Sequence, residues 1–420
     1  MKTAPAAASR ARGAHRGQRS SSGLDREGLL YCIKVFLGVR VILAIVALAT
    51  VAVMPHAPAG GLDLGSAGSI PGPVGVPGWP AHEITAGWHN LFTVWERFDV
   101  LWYLRIAAHG YATTDGSAAF FPLFPLAVRA VSFAIGGHPL AAGLLVSNGT
   151  AFGGLLVLYA LTRKELDEGT ARGAVMFASI FPTAFFFVAP YSESLFLLAV
   201  LVAFWAARGG RWWLAGLAGA AAALTRNIGV LIALPLAVEA VHQRLEGRSV
   251  RTMLAGLAAA TGPVLGVLAY LEYWERRVGD WLAPIHLQTG WERKLVSPAF
   301  TLTEGTRDAL RFLGVYPGGY HTLDWLIVVP VLALAIYATV RFRPTYVIYT
   351  WASIAPPLIF IFSGRPLMSF PRFALPLFPV FWALAKVTGH RRAWRELALA
   401  ASAALLGVLF VLFVNWYYVF

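Results

Sequence analysis

The stretch PYSESLFLLAVLVAFWAARGGRWWLAGLAGAAAALTRNIG, residues 190–229, holds two apolar runs separated by Arg208, Gly209, Gly210 and Arg211. No charge interrupts either run between Glu193 and Arg208 or between Arg211 and Arg226. A helix that is apolar on every face is buried in a large core or lies in lipid. The pair therefore reads as two successive membrane spans with a basic turn at one end. Glu193 and Arg226 then lie at the other end.

The whole chain carries the same signature. Of its 420 residues 58% are apolar, aromatic or Cys and 13% are charged, with a mean hydropathy of +0.64. A soluble surface needs roughly 25% charged residues, so a water-soluble enzyme and a disordered chain are both excluded. Ala and Arg richness suggests a high-GC bacterial source. The single cysteine, Cys32, rules out an intramolecular disulfide. At ~20 residues per span, the length allows about a dozen helices and one or two sizeable loops. Residues 1–30 read as a disordered basic cytoplasmic tail, and the run 31–54 is too long for a signal-peptide core of about 7–15 residues. It is expected to be an uncleaved first span. Further runs cover 139–162, 174–189, 191–207, 212–226, 228–241, 252–271, 324–341, 345–362, 373–386 and 396–418, making about eleven spans with Pro182, Pro190 and Pro235 blurring the boundaries.

Charge then orients the chain. The tail, the loops 163–173, 208–211, 242–251, 341–344 and 386–395, and the inner part of span one carry 22 of the 34 Lys/Arg, and with Glu239 and Glu396 at the adjoining helix ends this side holds 8 of the 21 Asp/Glu. By the positive-inside rule this side is cytoplasmic. The net +13 is thus a topology signal, and nucleic acid is not an expected partner; the lipid bilayer is. Residues 119–136 are apolar but contain Pro122, Pro125 and Arg129. A full span there would invert every later loop, so an interfacial or re-entrant helix is expected. The first outer loop is then 55–138 and a second large one is 272–323. No internal repeat of the kind that marks many transporters is visible.

Informative polar residues collect on the outer side. In WERFDVLWYLRIAAHGY, residues 95–111, Trp95, Phe98, Trp102 and Ile106 form one stripe of an amphipathic interfacial helix. Asp99 lies against that stripe, where a carboxylate at a membrane surface suits a general base or forms an ordinary Arg pair. Glu96, Arg97 and Arg105 read as headgroup contacts, and His109 as a helix end or a substrate contact. Glu193 is a site candidate by its depth or a helix cap. Arg226 has no acid nearby in sequence and suits a phosphate or snorkels to headgroups. Arg365 and Arg372 add two cations in SGRPLMSFPRF, residues 363–373. The second large loop contains WERRVGDW and WERK, whose Trp291 and neighbouring Glu292, Arg293 and Lys294 suit sugar stacking or interface anchoring. The sequence contains no Gly-rich phosphate loop, HExxH or Cys/His metal pattern, so no metal or other cofactor is expected. Chemistry alone points to a lipid-phosphate substrate approached from outside.

Taken together, WERFDVLWYLRIAAHGY, AFFPLFPL (119–126), PYSESLF (190–196), LTRNIG (224–229) and SFPRF (369–373) resemble the PIG-V family of mannosyltransferases, within the GT-C superfamily of membrane glycosyltransferases. The resemblance implies an all-α, GT-C-like bundle over residues 31–420 in the plasma membrane. It implies a polyprenyl-phosphate-mannose donor and a glycan, glycolipid or glycoprotein acceptor met on the extracytoplasmic face. It also implies Asp99 as catalytic base, with Arg97, Trp102, Tyr103, Arg105, His109 and Glu193 lining the substrate site. Arg226, Arg372 and Arg365 are expected on the donor phosphate. The expected reaction is a one-step inverting transfer giving an α-mannoside. Rival readings are a transferase for another lipid-phosphate sugar and a lipid-linked sugar flippase.

Overall fold

The computed structural model describes residues 24–54, 87–113, 115–286, 293–315, 318–362 and 364–419. The first 23 residues of the expected tail, the linker 55–86, and Trp291 with Glu292 lie outside the described residues. Helix α1 (Arg26–Val53) starts inside the segment read as tail, because Asp25 caps it by accepting from the Gly28 N–H at 2.8 Å. Among the described residues, six helices are long and apolar enough to cross a membrane: Arg26–Val53, Pro139–Glu165, Asn227–Leu245, Val250–Val278, Gly319–Arg341 and Arg392–Val414. The protein is a predominantly helical, multi-pass membrane protein.

The remaining apolar runs fold as shorter pieces, and prolines explain why. The run 174–189 ends its helix at Ser179, ahead of Pro182, and continues through the 3₁₀ turn Ala184–Phe187 to Pro190. Pro lacks an N–H and disfavours helix in the residue before it. Helix α6 (Glu193–Arg208) then restarts. The run 345–362 ends as helix at Ile359, just after Pro356 and Pro357, and the run 373–386 becomes helical only from Phe378.

Helix α2 (Asp99–His109) and helix α3 (Leu123–Ala134) fill the first large loop. Helix α4 (Pro139–Glu165) and helix α5 (Glu168–Ser179) lead into α6, followed by α7 (Trp212–Thr225), α8 (Ala233–Leu245) and α9 (Val250–Val278). Helices α7 and α9 pack closely because small residues face each other. A Cβ at Gly266 would lie 2.7 Å from the Ala220 carbonyl oxygen. Strand β1 (Arg293–Leu295) pairs antiparallel with β2 (Phe360–Phe362), Arg293 opposite Phe362. Helix α10 (Pro298–Arg311), α11 (Gly319–Arg341), α12 (Pro344–Ile359), α13 (Phe378–Gly389) and α14 (Arg392–Val414) complete the bundle.

The basic loops gather at one end. Arg163 pairs with Asp25 at 2.7 Å, Arg208 with Glu165 at 2.7 Å, Arg343 with Glu246 at 2.7 Å and Lys386 with Asp167 at 2.6 Å. Glu239, nearly inaccessible, accepts from Arg208, Arg343 and Thr345 and ties α6, α8 and α12 together. Asp99 lies at the opposite end, with the start of α6 and the end of α7. Helix α3 keeps to that end. Its 12 residues span about 18 Å, and the chain leaves it for α4, whose Gly143 sits against Pro190. The segment just before α3 accepts a 2.9 Å hydrogen bond from the Tyr270 hydroxyl near the end of α9. Both ends of α3 thus lie near the Asp99 end of the bundle.

One expectation fails. The segment 95–111 is not a half-exposed interfacial helix. The helix begins at Asp99, and Trp95 and Phe98 precede it. Val100 through Ala107 are all buried, and Trp95 stacks on Phe410 at 5.1 Å. The apolar stripe faces protein on every side because α3, α4 and the last helix close around it.

Candidate active site

Asp99 owes its position to an unusual turn. Phe98 adopts φ 54°, a conformation costly for a residue with a Cβ. Its ring is held by Phe413, Trp416 and Tyr418 at 5.4–5.8 Å. The tail segment after α14 thus folds back and fixes the turn from which Asp99 projects. Arg97 braces the same turn, donating to the carbonyls of Val414 at 2.9 Å and Thr93 at 2.8 Å and lying over Trp416. Burial lowers its pKa to about 10, so it stays charged at neutral pH.

From Asp99 a chain of alternating charge runs inward. Arg372 Nη1 donates to Asp99 Oδ2 at 2.5 Å, and Arg372 Nε donates to Glu193 Oε1 at 2.5 Å. Arg226 Nη1 donates to the same Glu193 oxygen. Glu193 opens α6 and is fully enclosed, where the helix dipole favours an anion. Its other oxygen, Oε2, meets no donor among the described residues. Burial works against the Arg372 charge, yet Glu193 and Asp99 hold its proton more firmly than usual. Aromatic faces hold the cations in place: Arg372 lies 4.8 Å from the Tyr191 ring and Arg226 5.0 Å from Phe373. The Tyr103 hydroxyl donates to Ser192 Oγ at 2.8 Å; burial pushes its pKa up to about 12 and keeps it a donor. Asp99, with 26% of its side chain exposed, is the accessible end of the chain, against 12% for Arg372 and 0% for Glu193. The geometry presents one reachable carboxylate beside buried guanidiniums.

Four sequence-stretches separated by as many as 273 residues thus converge on Asp99, Glu193, Arg226 and Arg372, with Tyr103 beside them. Other expected site residues are engaged elsewhere. Arg365 grips buried Asp324 through both of its forks, at 2.6 and 2.8 Å, and also donates to the Val419 carbonyl. It is a structural cation with its charge already matched. Arg105 pairs with Asp115 at 2.7 Å. Trp102 stacks on Phe120 at 5.4 Å within the core. His109 is exposed at the far end of α2, ten residues and roughly 15 Å from Asp99. Trp274, placed in the second large loop by sequence, lies in α9 and is fully buried against Tyr111 and Tyr273, while Trp281 is exposed. Among the described residues, no three His, Cys, Asp or Glu side chains group closely enough to share a metal ion.

Two further residues approach the site: Tyr418, which stands in no motif, and Arg293, which the WERK stretch offers only for sugar stacking or interface anchoring. Tyr418 arrives with the tail segment and is electrostatically coupled to Asp99 and Arg372. Arg293 arrives on β1 and donates to Ser369 Oγ at 3.3 Å, three residues before Arg372.

The fold is a multi-pass helical bundle with one accessible carboxylate backed by buried guanidiniums. Residues 33–248 match the family described as mannosyltransferase (PIG-V), and the chain belongs to that family. No curated protein sequence matches it. Similar solved structures include the Archaeoglobus fulgidus oligosaccharyltransferase with zinc and sulfate, at 14% identity and a TM-score of 0.40 over 90% of this chain and 53% of that one. The archaeal oligosaccharyltransferase AglB from the same organism, with an inhibitory peptide and a dolichol-phosphate, matches at 13% identity and a TM-score of 0.39, over 91% of this chain and 55% of that one. The chain spans about half the length of these structures.

Proposed function

We propose that the protein transfers mannose from polyprenyl-phosphate-mannose to an acceptor hydroxyl, with inversion, on the extracytoplasmic face. The observation that carries this reading is the accessible Asp99 carboxylate backed by Arg372, Glu193 and Arg226 in a member of the PIG-V mannosyltransferase family. Asp99 takes the proton of the acceptor hydroxyl while that oxygen attacks the anomeric carbon of a β-linked mannosyl phosphate. The bond from C1 to the phosphate oxygen breaks as the new bond forms, and the electron pair leaves with the phosphate. One carboxylate and one displacement give an α-mannoside. The buried arginines place positive charge where the leaving phosphate gains negative charge. Phosphate leaves readily, so no second acid is required. The clustering of Lys- and Arg-rich loops at the end away from Asp99 supports an extracytoplasmic site and a cytoplasmic N-terminus.

The test is transfer from synthetic farnesyl-phosphate-mannose by the full chain in lipid nanodiscs, with membrane glycolipid extracts as acceptor. Asp99→Asn should retain donor binding and lose about 10²–10⁴-fold in turnover. Equal turnover by the two proteins would remove Asp99 from the chemistry. A wild type that moves the donor lipid between leaflets without cleaving it would establish a flippase instead.

A further inference from the structure

The guanidiniums nearest Asp99 are not equally available to an anion. Arg226 and Arg372 both donate to Glu193, and Arg372 also holds Asp99. Arg365 is matched by Asp324, Arg105 by Asp115, and Arg97 by backbone carbonyls. Arg293 differs from all of them. It is exposed, its hydrogen bond goes to the neutral Ser369 hydroxyl, and among the described residues it has no carboxylate partner. The β1–β2 ladder fixes its backbone opposite Phe362, at the start of the segment that leads to Ser369 and Arg372. With Arg293 included, three guanidiniums face two carboxylates, which leaves one positive charge unmatched. A sugar–phosphate–lipid diester carries one negative charge.

We infer that Arg293 is a phosphate-binding residue, contributed by the second large loop, that receives the single negative charge of a lipid-phosphate sugar. The inference rests on the reading that the donor is such a lipid. Arg226 and Arg372 set the positive potential behind the site, and Arg293 supplies the direct contact at its mouth. Guanidinium matches phosphate with two parallel hydrogen bonds, which an ammonium cannot reproduce.

The experiment compares binding of farnesyl-phosphate-mannose with that of farnesyl mannoside, which lacks the phosphate, by the full chain in nanodiscs. Wild type should prefer the phosphate probe strongly. Arg293→Gln should reduce that preference by about 10- to 100-fold, the range for losing a charged hydrogen bond. Arg293→Lys should recover part of it, and Arg311→Gln, on exposed α10, should leave it unchanged. A purely structural role for Arg293 would weaken both probes together and leave their ratio intact, which overturns the inference. An unchanged ratio with unchanged affinities overturns it too. No phosphate preference in wild type would instead refute the proposed donor class.

Discussion

The Arg365–Asp324 pair offers the sharpest separation between a structural and a substrate-binding arginine. Both side chains are almost inaccessible, at 4% and 2% exposure, and two short bonds join them. Arg365→Met strands the Asp324 carboxylate in the core of α11, at an expected cost of about 3–5 kcal/mol. Replacing both, as Arg365→Met with Asp324→Leu, removes the stranded charge. What remains lost is chiefly the Val419 carbonyl bond, about 1 kcal/mol. The double variant should therefore be more stable than the single one by about 2 kcal/mol or more. Unfolding by SDS in mixed micelles, followed by tryptophan fluorescence, reads this cycle directly. Transfer per folded molecule should stay within a few-fold of wild type in the double variant. A single variant of nearly normal stability whose donor KM rises more than about tenfold would refute the reasoning and return Arg365 to the phosphate site.

Glu193→Gln tests the buried link. Oε1 can still accept from both arginines and the new amide sits where Oε2 has no donor, so the change removes charge alone. Transfer should fall about 10- to 100-fold through displaced cations, chiefly in kcat, and Glu193→Asp should recover little because it is one carbon short. Glu96, in the segment before α2, has its pKa raised by burial, with Arg97 opposing. Its ionised form therefore costs stability above the raised pKa, so Glu96→Gln should stabilise the protein at neutral pH. That gain should vanish as the pH falls below the ordinary glutamate value, and a gain that persisted at low pH would contradict it.

The sequence makes the helical membrane character and the shared end of Asp99, Glu193 and Arg226 legible, because apolar runs and loop charges report which end of a helix a residue occupies. The side chains that meet are another matter. Arg365 looks as available as Arg372 in SGRPLMSFPRF, since its partner Asp324 is an isolated acid 41 residues upstream. Helical spacing around Trp95 and Phe98 suggests a half-exposed stripe, while burial by the last helix depends on contacts more than 300 residues away. Arg293 and Tyr418 reach the site only through strand pairing and a folded-back tail, neither of which leaves a local pattern.

The order in which the ribosome delivers the charge chain has a consequence for biogenesis. Arg226 follows Glu193 after 33 residues, but Arg372 follows after 179. At roughly 5–20 residues per second the second gap lasts about 10–35 seconds. During that interval Glu193 has one of its two counter-ions, and Asp99 has none from this cluster. The nascent bundle therefore inserts with its polar centre half neutralised. A chain arrested before the loop preceding α13 would present Asp99 and Glu193 without the Arg372 that bridges them.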